Sequence, residues 1–100
     1  MEIIINNKSF SFAYRGFGPQ YTYEQIAGEA FSGVTTRSVH LLMYSTLMFC
    51  NRDSFTMSFT DFAEWLYENP TEEQAMAEAI TAETLRRSQG VDKKKSKKAQ

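Results

Sequence analysis

One hundred residues hold one small hydrophobic core, not two, and a chain of this size is modestly stable unless a partner adds to it. Eight Phe, five Tyr and one Trp exclude a fully disordered chain, and the lone Cys50 excludes an internal disulfide. The net charge of −1 conceals a contrast: residues 1–90 carry six Lys and Arg against eleven Asp and Glu, whereas residues 91–100 carry five Lys against Asp92. An acidic domain with a basic tail is the result.

From the N-terminus, Glu2 to Ile5 is β-branched and reads as a strand. Asn6-Asn7-Lys8 reads as a turn, because Asn tolerates positive φ. Ser9 to Tyr14 alternates, with Phe10, Phe12 and Tyr14 on one side, so the two segments predict a β-hairpin that needs helices over its apolar face. Arg15-Gly16-Phe17-Gly18-Pro19 reads as a loop. It lacks the further Gly and the Lys-Ser/Thr of a phosphate-binding loop. A short helix is expected from Thr22, capped with Gln25, with Tyr23, Ile26, Ala27, Ala30 and Phe31 facing inward and Gly33 as its stop.

Thr36 to Cys50 holds the densest apolar run, with no Gly or Pro in it. Val39, Leu42, Met43, Thr46, Leu47 and Cys50 follow the spacing of one helix face, and Leu41, Tyr44 and Met48 that of a neighbouring one. Such a helix is either central or meets a partner. Residues 52–58 form a connector, followed by a helix with Thr60 as its cap and Phe62, Trp65 and Leu66 as its stripe, ending at Asn69-Pro70. Thr71 with Gln74 is a capping pattern for a last helix over about 71–89. Glu72, Glu73, Arg86 and Arg87 sit where the helix dipole favours them, and Gly90 is the stop. With only Met76, Ala79 and Ile80 as a continuous apolar face, this helix is expected to project or to await a partner. Residues 91–100 are expected to be disordered. The fold class is α+β: an N-terminal hairpin packed on three to four helices within residues 1–90, with a basic tail.

No residue pattern announces catalysis, a cofactor or a metal. His40 and Cys50 lie on one helix, about 15 Å apart along its axis and roughly 80° around it, too far to act as a pair. Cys50 reads as a small buried residue, and His40 as a face-edge residue with a hydrogen-bond partner. One His and one Cys are too few for zinc. The carboxylates from Asp61 to Glu83 read as a solvated surface, since no calcium loop accompanies them.

Lys93, Lys94, Lys95, Lys97 and Lys98 would suit nucleic acid, but no aromatic lies among them and the acidic domain would repel a polyanion. A membrane role lacks an apolar anchor, and neither a secretory signal nor a spanning segment is visible, so a soluble intracellular chain is expected. Among the aromatics, Phe17, Tyr21 and Phe55 fall in loops and are the candidates for an exposed binding patch.

The succession of a hairpin opening in EIIINNKSFSF, a short helix, a long apolar helix and the segment Phe62-Ala63-Glu64-Trp65-Leu66-Tyr67-Glu68-Asn69-Pro70 resembles the small phage tail assembly chaperones over residues 2–70. In its central helix and the Pro-free stretch from Asn51 to Ser58 the chain departs from the family's commoner phrase. The resemblance implies a non-enzymatic protein of the bacterial host cytoplasm. It would bind an apolar, helical tape-measure protein and help recruit tail-tube subunits. The client surface expected on this chain is Leu41, Tyr44 and Met48, with Phe62 and Trp65 along its edge. The alternatives are a small nucleic-acid-binding regulator using the lysine tail, and a homodimeric adaptor joined through the second face of the central helix.

Overall fold

The computed structural model describes the backbone through Ala99 and side chains through Gln89, in the order β1 (Glu2–Ile5), β2 (Lys8–Ser11), α1 (Gly18–Ala27), α2 (Thr36–Cys50), α3 (Phe59–Glu68) and α4 (Pro70–Ala99). The fold is α+β, a two-stranded antiparallel hairpin followed by four helices. The tail expected to be disordered, with its five lysines, and the stop at Gly90 lie outside the described side chains.

Asn6 and Asn7 carry φ of 52° and 67°, the positive values that a two-residue hairpin loop demands at both positions. The register sets Ile3 opposite Phe10 and Ile5 opposite Lys8, and Met1 and Phe12 extend the ladder by exchanging backbone hydrogen bonds. Ile3, Ile5, Phe10 and Phe12 point into the core, as their alternation predicts. The outer edge of β2 is closed by a side chain. Asn51 donates from Nδ2 to the Ser11 carbonyl at 2.8 Å and accepts at Oδ1 from the Ser11 amide at 3.0 Å, as a neighbouring strand residue would. The same Nδ2 donates to the Leu47 carbonyl, so Asn51 ends α2 and fastens it to the hairpin.

In α2 the seven consecutive residues from Leu41 to Leu47 are all buried, so no side of this stretch faces water. Its two polar members are satisfied locally: Ser45 donates to the Leu41 carbonyl and Thr46 to that of Leu42, each at 2.7 Å. Thr35 and Ser38 form a reciprocal capping box at its start.

Several boundaries differ from the sequence expectation, each for a local reason. α1 begins at Gly18, four residues before Thr22: Pro19 stands in its first turn, where the missing N–H costs nothing. It ends at Gly28, whose φ of 75° makes the left-handed cap, rather than at Gly33. Ile26, expected inside, is exposed, while Phe31 still packs edge-on against Tyr23 at 5.3 Å. Ser58, not Thr60, caps α3 by accepting from the Asp61 amide. α4 starts at Pro70, with Asn69 shared between the two helices. Nor does the first half of α4 project: Met76 is fully buried, and Ala79 and Ile80 pack on the core.

Replacing Asn51 with Ala removes the clasp on β2 and leaves Ser11 unpaired. Because Ser11 is exposed and water can take the place of Asn51, the expected loss is about 0.5–1.5 kcal/mol in chemical denaturation. Amide exchange at Ser11 should quicken far more than exchange at Leu42, deep in α2.

Candidate interaction surface

The surface expected from the sequence is mostly not a surface. Leu41 and Phe62 are buried at 1% and 0% exposure, and Tyr44 at 8%. Met48 and Trp65 are half-buried against the core. At Tyr44 the second face of α2 is covered by the residues 52–58 connector and by α3. Tyr44 is the hub of that cover. Its ring meets Phe55 and Phe59 edge-on, each at 5.5 Å, and lies tilted against Phe62 at 5.6 Å. Its hydroxyl donates to the Met57 carbonyl at 2.6 Å. Burial therefore pushes the Tyr44 phenol above its usual value. Trp65 stacks on Phe62 at 6.0 Å. Phe55, expected among the exposed aromatics, is buried beneath Tyr44 and Phe10 because its connector folds back over the hairpin.

Phe17 and Tyr21 are exposed as expected, at 50% and 60%, and stack on each other at 5.9 Å across the first turn of α1. Beside them, Tyr21, Thr22 and Gln25 of α1 face Met48, Phe49 and Arg52 across a groove of about 420 Å³. Gly18 forms its floor, since a Cβ there would run into the Phe49 ring. Met48 is thus the one residue of the sequence-derived set that lines an open groove with other apolar residues. Phe49 was missed because it falls outside both apolar series of α2. The available signal was Gly18, a residue without a side chain in the turn that crosses this helix end. Tyr67, 86% exposed on the outer face of α3, stands apart from this group.

Guanidinium groups stack at both ends of the aromatic strip. The Arg87 carbon lies 4.9 Å from the Phe17 ring centre and that of Arg52 lies 5.1 Å from the Phe49 ring centre. Arg86 is hydrogen-bonded to Glu83, which holds the Glu83 carboxyl below its usual range, with the charges of Arg86, Arg15 and Arg87 adding to the effect. His40 is paired with Glu73 of α4, while the Cys50 thiol faces the Ala13 carbonyl at 3.6 Å. The two chemically interesting residues of α2 therefore have separate partners. Among the described residues, no three His, Cys, Asp or Glu side chains converge as a metal site, and no helix is long and apolar enough to cross a membrane.

Tyr44→Phe keeps the ring but strands the Met57 carbonyl, and should cost about 1 kcal/mol in urea unfolding. Because the folded-state phenol titrates above the unfolded value of about 10, its contribution is fully present below pH ~10 and is lost as pH rises through the folded value. The alkaline fall in stability should accordingly be shallower in Tyr44→Phe than in the parent. Compared with known proteins, the chain matches no family model, no curated protein and no solved structure.

Proposed function

We propose that this chain is a non-enzymatic interaction protein of the phage tail assembly chaperone kind, which holds an apolar helical client, the tape-measure protein, in the bacterial cytoplasm and brings tail-tube subunits to it. The observation that carries the reading is the groove between α1 and the end of α2, lined by Tyr21, Met48 and Phe49, with Phe17 stacked on Tyr21 next to it. A small domain with a filled core has no structural use for two stacked rings that are half in water. A groove between two helices with aromatic walls suits the apolar stripe of a third. The client site moves accordingly: Met48 stays in it, Phe17, Tyr21 and Phe49 enter it, and Leu41, Tyr44, Phe62 and Trp65 leave it for the core and its edge.

Phe17→Asp combined with Tyr21→Asp changes two exposed side chains, so the melting temperature should shift by only a few degrees. Co-purification with a co-expressed tape-measure segment should drop at least about tenfold. Undiminished co-purification by the double variant, with its fold intact by circular dichroism, would remove the groove as the client site.

A further inference from the structure

Residues 1–89 contain six cationic side chains, Lys8, Arg15, Arg37, Arg52, Arg86 and Arg87, against eleven carboxylates. Such a domain repels anions on average, yet its cations are not spread evenly. Arg87 stacks on Phe17 at one end of the aromatic strip and Arg52 on Phe49 at the other. Arg86 is ion-paired to Glu83, Arg15 lines one cleft with that pair, and Arg87 lines a second cleft with Glu83, so the three cations gather around one stretch of α4. Both stacked guanidinium groups belong to exposed residues and keep N–H donors for a further partner. Glu83 is taken up by its ion pair with Arg86; the other carboxylates nearest the strip along the chain are Glu24 and Asp53, set against the guanidinium groups of Arg15, Arg52 and Arg87. Most of the others, from Asp61 to Glu78, lie on α3 and the first half of α4.

From this arrangement we infer that the groove chooses its helix by charge: its ligand is an amphipathic helix whose apolar stripe is flanked by Asp and Glu. This rests on the groove being the client site, and it adds the chemistry of the client. The rings take the apolar stripe, and Arg87 and Arg52, held by their stacking, meet carboxylates on its two flanks. Charge-assisted, geometrically fixed donors discriminate strongly, because a basic helix would bring like charges together at both ends.

The test uses the full chain and two synthetic amphipathic helices with the same leucine face, one flanked by Glu and one by Lys, followed by fluorescence anisotropy. The acidic helix should bind at least about tenfold more tightly, and added salt should narrow the gap. Arg52→Glu with Arg87→Glu should reverse the preference while leaving the melting curve in place. Equal binding of both helices overturns the charge inference and leaves the client groove standing, whereas binding of neither overturns both. A preference for the acidic helix that survives the double substitution belongs to the lysines at 93–98 and overturns the assignment to the strip. A concentration-dependent dimer of the protein alone, abolished by Glu64→Lys, would seat the acidic α3 of a second copy on the strip and equally overturn it.

Discussion

The fold depends on one constraint: the stretch of α2 from Leu41 to Leu47 cannot touch water on any side. Burying a Leu side chain is worth about 1.5–3 kcal/mol, so a helix that is apolar all round gains only when every face finds cover. The chain supplies that cover in pieces. The hairpin lies against one side, α1 against another, and the connector with α3 and α4 closes the rest. Few of these pieces would be stable alone. A two-stranded hairpin and ten-residue helices are marginal in water, and each is held by the apolar face it shares with α2.

Polar chemistry then fixes how the pieces meet. Asn51 does three jobs with one side-chain amide: it accepts from Ser11, donates to Ser11 and donates back to Leu47. The Tyr44 hydroxyl ties the connector to α2 through Met57. Both bonds span elements distant in sequence, and both use a group that would be costly to leave without a partner. The cover thins at the end of α2, where Met48, Phe49 and Cys50 are only half-buried. That is where α1 presents Phe17 and Tyr21, and where the groove opens. The same packing that fills the core thus leaves a defined apolar strip beside it.

Much of the fold was legible in the chain. The alternation of Phe10 and Phe12, the Asn pair in the turn, and the bounds of α2 from Thr36 to Cys50 all follow from local rules of pairing, φ preference and capping, although β2 stops at Ser11, short of the expected Tyr14. The start of α1 was harder to see, because Gly18 and Pro19 break most helices; here they begin one, with Pro in the first turn and Gly making room for Phe49. Asn69 and Pro70 marked the junction of α3 and α4 correctly, but the docking of Met76 depended on residues far away in sequence.

By itself the sequence determined the α+β class and the span of α2, since periodicity and backbone preference act over a few residues. Tertiary structure decided which apolar residues were left over. Tyr44 carries the same spacing whether it faces solvent or protein, and only the paths of the residues 52–58 connector and α3 bring Phe55, Phe59 and Phe62 over it. Likewise, Arg52 and Arg87 are thirty-five positions apart and look like ordinary surface cations. Folding stacks Arg52 on Phe49 in the wall of the groove and Arg87 on Phe17, whose ring stacks on groove-lining Tyr21, and no local pattern encodes a meeting of that kind.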